Sequence, residues 1–178
     1  MIDKEKIKRT IDVYTGEVKG GGKGTILKSN AIGSCVVITV YDPIQKVGAL
    51  AHVMVPGAAP KGKILQRLRY ASNAVKEMID RMTQLGANTD RMESCLIGGG
   101  NVLKREGDTI GMENLASVEK LLREKGIKIR KRSIGGMERR TVMFDIEKGV
   151  VYYTVGDSVE MLLWGNDEKR NIEKRNVK

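Results

Sequence analysis

Two apolar runs rich in β-branched residues, Val36 to Val40 and Val47 to Val55, flank the turn-forming pair Asp42-Pro43. Such a segment folds back on itself as an antiparallel hairpin, because branched side chains suit a pleated surface and the Asp-Pro pair breaks it. In a hairpin the numbers of paired residues share a constant sum, set by the centre of the turn. A turn centred between Pro43 and Ile44 puts Tyr41 opposite Lys46, Val40 opposite Val47 and, further out, Cys35 opposite His52. The only histidine of the chain then meets one of its two cysteines. Directly opposed residues share a sheet face with Cβ atoms roughly 4.5–5.5 Å apart, close enough for a thiol to reach an imidazole nitrogen.

That pairing has a chemical meaning. A thiol is a weak nucleophile until it loses its proton, and a neighbouring histidine favours the thiolate by forming a thiolate–imidazolium pair. Cys35 follows Gly33-Ser34 where the strand begins, so a tight backbone there can aim amide N–H groups at a developing oxyanion. The competing interpretation is structural: free cysteine is commonly a small buried apolar residue, and a lone histidine a satisfied core residue. Spacing alone does not decide between them. A histidine base also needs a group that fixes its tautomer and ring plane. Ser29, six residues before Cys35, and Thr39, on the Cys35 face of the same strand, are the candidates. Cys95, in the apolar run Cys95-Leu96-Ile97, reads as an inert core thiol.

The remaining pattern sets the fold class. Leu68, Ala71, Val75, Met78, Ile79, Met82 and Leu85 fall at helical spacing and stop at Gly86, and Leu115, Val118, Leu121 and Leu122 mark a second helix ended by Gly126. Ile127 to Ile129 alternates as a strand, and Thr141 to Ile146 with Val150 to Val155 forms a second hairpin around Glu147-Lys148-Gly149. The opening is amphipathic, and Gly20 to Gly24 reads as a flexible stretch. Strands outnumbering two long helices imply an α+β domain spanning residues 1–165, followed by a charged, mobile tail at 166–178. The charged N-terminus and the lack of a long apolar run imply a cytoplasmic protein with no membrane insertion. Two cysteines and one histidine offer no zinc site of the usual spacing, so no metal is expected. A net charge of +10 favours an acidic partner, and with only 4% aromatic residues an acidic protein surface fits better than nucleic acid.

Ala31-Ile32-Gly33-Ser34-Cys35-Val36-Val37-Ile38-Thr39-Val40-Tyr41-Asp42-Pro43, followed by Gly48 to Pro56 with its Ala51-His52-Val53, closely resembles the chemoreceptor glutamine deamidases, the CheD family. The likeness returns at Ile97 to Gly100, at Ile110-Gly111-Met112-Glu113-Asn114, and at Gly135-Gly136 followed by Arg140 to Asp145. The resemblance implies that Cys35 is the nucleophile and His52 its base, with Ser29 standing where the family has a threonine. It implies two packed mixed β-sheets flanked by helices in α/β/β/α layers, similar to other protein-glutamine cysteine hydrolases. The implied reaction is hydrolysis of receptor glutamines to glutamate with release of ammonia through a thioester, with no cofactor, and by the same acyl-enzyme hydrolysis of glutamyl methyl esters. The implied partners are the cytoplasmic helices of a chemoreceptor and a CheC-type phosphatase, whose non-catalytic regulation is the alternative role. Gly98 to Gly100 and Gly135-Gly136 read as tight turns. Arg140 is a candidate contact to substrate or partner.

Overall fold

The computed structural model describes residues 8–165, and the charged tail expected at 166–178 lies outside the described residues. The first apolar hairpin forms as β4 (Val36–Asp42) and β5 (Val47–Val53), in which every residue is buried. Strands buried on both faces must be covered on both sides. The covering is a sheet on one side and helices on the other. One sheet has the order β2 (Val18–Gly21), β5, β4, β6 (Glu93–Gly98), β7 (Lys128–Ile134). The other runs β1 (Arg9–Asp12), β3 (Thr25–Ile32), β8 (Arg140–Asp145), β9 (Val150–Val155), β10 (Met161–Trp164). Each contains one parallel pair, β1 with β3 and β6 with β7, so both sheets are mixed.

Alternation divides the core into two layers. Val37, Tyr41, Leu50 and Ile97 of the β5-β4-β6 sheet meet Leu27, Val142 and Phe144 of the other sheet. Val36, Ile38, Ala49 and Leu96, pointing the opposite way, meet Met78 and Met82 of α1 (Ala71–Gln84) and Val118 and Leu122 of α2 (Ile110–Glu124). Each large side chain so buried contributes roughly 1.5–3 kcal/mol. Both helices end as their sequences require, at Gly86 with φ 87° and Gly126 with φ 71°.

The α+β class and the two mixed sheets agree with the sequence expectation, but the layering differs. Among the described residues both long helices lie on the β5-β4 sheet and none covers the other, giving α/β/β instead of α/β/β/α. The outward positions Lys28, Thr141, Met143 and Tyr153 of the uncovered sheet are half-exposed, and offer no continuous apolar stripe for a helix to bury. Gly20 and Gly21, expected to be flexible, are paired in β2 with Ala49 and Gly48. A Cβ on Gly21 would come within 2.8 Å of Thr25 Oγ1, so glycine here permits a close approach.

The hairpin register also differs, by two. Asp42 pairs with Val47 and His52 with Val37, so the turn is centred between Ile44 and Gln45. Asp42 causes this. Its side chain, completely buried, accepts from the N–H groups of Ile44 (2.9 Å), Gln45 (3.2 Å) and Asn88 (3.0 Å) and from Arg91 (2.9 Å). Lys46 closes the loop in the left-handed region at φ 52°, donating its N–H to the Asp42 carbonyl. β5 stops at Val53 because the N–H groups of Met54 and Val55 turn to the Arg69 carbonyl. Burial alone would raise the Asp42 pKa, but Arg91 and the three amides outweigh it and hold the carboxyl at about 2.

Because this pKa is depressed on folding, its stabilisation is complete above the ordinary value of 3.8 and is lost as pH falls through about 2. Asp42→Ala should cost about 3 kcal/mol at neutral pH, since it strips a buried hub from its partners. Urea denaturation of the two proteins measures this, and a loss smaller than about 1 kcal/mol would assign the register to the strands and not to the turn.

Candidate functional site

β3 lies in one sheet and β4 in the other, so residues 33–35 carry the chain across the gap between them. Cys35 is the last residue of this crossing and is half-exposed. Ser29 stands on β3, 1% exposed, and His52 on β5, 2% exposed. The expected pairing of Cys35 with His52 does not form: the ladder begins at Val36, and His52 pairs with Val37. A slip of two residues preserves the face of β4, so Val37 and His52 point into the gap between the sheets, while Cys35 precedes the strand and lines a depression separate from the one that His52 lines with Val13, Tyr14 and Ala31.

There Ser29 Oγ lies 2.8 Å from His52 Nδ1 and donates to the Val13 carbonyl at 2.7 Å. The hydroxyl has one proton, and a carbonyl can only accept. Ser29 must therefore accept from the Nδ1–H of His52, which leaves Nε2 as the basic nitrogen. Nε2 is buried and, among the described residues, has no hydrogen-bond partner. Of the two candidate orienting groups, the structure brings Ser29 to the ring. Thr39 pairs instead with Leu50 and Cys95, and its hydroxyl serves the Cys95 thiol.

Burial dominates the electrostatics. It depresses the His52 pKa from 6.5 to about 4, with the Val13 carbonyl pulling weakly the other way. Burial also raises the Cys35 thiol, which only its own backbone N–H opposes. Both shifts disfavour charge and so work against the standing thiolate–imidazolium pair expected from the sequence. The deeper Cys95 is pushed up to about 12, mainly by burial, in keeping with an inert core thiol.

Cys35 opens into a cleft of about 190 Å³ lined by Ala31, Gly33, Ser34, Leu103 and Arg139 among others. Its backbone is held from below. Gly99 N–H donates to the Cys35 carbonyl at 2.8 Å and Gly100 N–H to the Gly33 carbonyl at 2.9 Å. Gly98, at φ 115°, would with any Cβ collide with the Cys35 carbonyl, so glycine there lets β6 approach the crossing. Gly135-Gly136 also turns in the left-handed region, at φ 71° and 74°. Arg140 is not at a partner surface. It is 7% exposed, and its Nε donates to Ser133 Oγ at 3.0 Å, joining β8 to β7 across the sheets. The cation at the cleft is its neighbour Arg139.

Sequence reasoning missed three contributors. Val13 acts through a carbonyl, which no side-chain pattern marks. Ala31 takes φ 55° in the bulge between Ser29 and Ile32, where β3 leaves its ladder with β8. Asn114, completely buried on α2, donates from Nδ2 to the carbonyls of Ser34 and Met54, each at 3.0 Å. Its only signal was its place in the Ile110 to Asn114 segment.

Residues 54–154 match a family model described as CheD chemotactic sensory transduction. A probable chemoreceptor glutamine deamidase CheD from Chlorobium luteolum is 39% identical over 86% of this chain and 77% of its own length. The chemoreceptor glutamine deamidase CheD of Thermotoga maritima is 35% identical over 75% of this chain and 87% of its own. A probable chemoreceptor glutamine deamidase CheD from Archaeoglobus fulgidus is 37% identical, again over 75% and 87%.

The depressed His52 pKa generates a stability prediction with a definite sign. Between pH 6.5 and about 4 the unfolded chain takes up a proton that the folded chain refuses, so stability is full above pH 6.5 and falls as pH drops through that window. The slope should approach 1.4 kcal/mol per pH unit at its steepest. Denaturation midpoints at pH 7 and pH 5 test it: His52→Gln should lose most of the difference, and an unchanged difference would mean that the ring titrates freely.

Proposed function

The chain belongs to the CheD family, and we propose that it hydrolyses chemoreceptor glutamine side chains to glutamate, with Cys35 as nucleophile, His52 as base and Ser29 as the group that orients the base. The observation that carries this reading is the state of His52. Its ring is fixed at Nδ1, its Nε2 has no hydrogen-bond partner among the described residues, and it is carried on the strand that pairs with β4, which directly follows the Cys35 that lines an open cleft.

As the Cys35 sulfur attacks the side-chain carboxamide carbon, its proton passes to Nε2. A tetrahedral oxyanion forms, and the N–H groups of Ser34 and Cys35 at the crossing are its donors. The imidazolium then gives the proton to the departing nitrogen, ammonia leaves and a thioester remains. Water attacks the thioester with Nε2 taking its proton, and glutamate and free thiol are restored. With both partners neutral at rest, charge develops only during the reaction, when the bound amide has displaced water from the cleft. A glutamyl methyl ester enters the same cycle with methanol as the leaving group.

Exposed Leu103 and Arg139 at the cleft suit a helical surface carrying apolar and acidic side chains, and the net charge of +10 steers toward such a surface. Binding of a CheC-type phosphatase is a separable role, because it requires no thiol. Cys35→Ala should abolish ammonia release from a receptor cytoplasmic fragment and leave phosphatase binding intact, while Cys95→Ala should retain deamidation. Mass spectrometry of the fragment reads the conversion of glutamine to glutamate; conversion persisting in Cys35→Ala would overturn the assignment.

A further inference from the structure

We infer that Asn114 is a positioning residue that sets the oxyanion-binding peptide at Cys35, a proposal that rests on the reading of Cys35 as the nucleophile. The three consecutive carbonyls of the crossing are all tied down on the protein side. Gly33 is held by the Gly100 N–H, Cys35 by the Gly99 N–H, and Ser34 by Asn114 Nδ2. In a trans peptide the C=O of one residue and the N–H of the next point in opposite directions. Every peptide bond in the described chain is trans. Holding the Ser34 carbonyl inward therefore turns the Cys35 N–H outward, toward the cleft side where the sulfur lies. Among the described residues, no backbone or side-chain acceptor takes the N–H of Ser34 or Cys35. The Cys35 N–H does lie close enough to its own sulfur to favour the thiolate.

The two glycine amides fix the outer carbonyls through main-chain bonds that no side-chain substitution removes. The middle carbonyl depends on a side chain. Asn114 spends its other Nδ2 hydrogen on the Met54 carbonyl, two residues beyond His52 on the same strand run. One amide group thus joins the backbone beside the nucleophile to the backbone beside the base. Its approach is made possible by Gly111, where a Cβ would stand 2.7 Å from the Gly99 carbonyl oxygen and hold α2 off the glycine loop. Among the described residues Asn114 Oδ1 is buried without a partner, an energetic cost that accompanies the two bonds from Nδ2. A hydrogen bond to the Ser34 carbonyl also polarises the peptide, making the Cys35 N–H a stronger donor.

The test separates oxyanion stabilisation from thiol reactivity. Deamidation passes through an oxyanion, whereas alkylation of Cys35 by iodoacetamide is a displacement at saturated carbon and makes none. In Asn114→Leu, similar in branching though bulkier and without a donor, kcat for deamidation of a receptor cytoplasmic fragment should fall roughly 10- to 100-fold. KM and the alkylation rate, with its pH profile, should stay within about two-fold of wild type. Asn114→Ser, a smaller change, decides the matter if the leucine variant does not fold by circular dichroism. Alkylation that slows in step with deamidation, an unchanged kcat, or loss of the fold in both variants would overturn the proposal. Failure of the underlying reading looks different: wild-type protein alkylated at Cys35 would still deamidate.

Discussion

The hydrogen bond from His52 Nδ1–H to Ser29 Oγ crosses the gap between the two sheets, and the site depends on it. Most of that gap is apolar, filled by Leu27, Leu50, Val37 and Phe144. A polar group survives there only if it finds a partner, since burial without one costs several kcal/mol. Ser29 satisfies the ring on one side and is itself satisfied by Val13 on the other, so the chain of bonds ends in a backbone carbonyl that cannot rotate away. The ring nitrogen that remains bare is bare for the same reason. Among the described residues no polar group pairs with Nε2, the nitrogen proposed to take the proton of the thiol.

Cys35, the proposed nucleophile, is positioned by backbone, and His52, the proposed base, by side chains. Cys35 sits where the chain passes from β3 of one sheet to β4 of the other, with Gly98 to Gly100 pressed beneath it, while the Asp42 hub fixes which residue of β5 comes opposite β4. Burial then disfavours charge on both the Cys35 thiol and the His52 ring. Such a site is guarded against indiscriminate thiol chemistry, because a neutral thiol reacts slowly with oxidants and electrophiles. In the proposed reaction a bound amide draws the reactivity out, accepting electron density as the proton leaves.

Much of this was legible in the sequence, and the exceptions have physical causes. The two hairpins, the two helices with their glycine stops and the α+β class follow from local periodicity, which local physics enforces. The side of the sheet on which His52 stands was legible because the face of a strand residue depends only on parity, and a slip of two leaves parity intact. The direct pairing itself was not, because the turn is set by Asn88 and Arg91, remote residues that bond Asp42. Ser29 and Thr39 could not be separated without knowing that β3 belongs to the opposite sheet. The strands β1 and β2 lack strong alternation and exist through pairing with β3 and β5. The covering of only one sheet by helices depends on side chains of the whole outer face, not on any helix by itself.

Because His52 is the only histidine, nitrogen-15 NMR of the histidine-labelled protein observes this ring alone. The account requires a neutral ring at pH 7 with its proton on Nδ1 and Nε2 bare, gaining its second proton only as pH falls toward about 4. A proton on Nε2 at pH 7, or a midpoint near the ordinary 6.5, would contradict it.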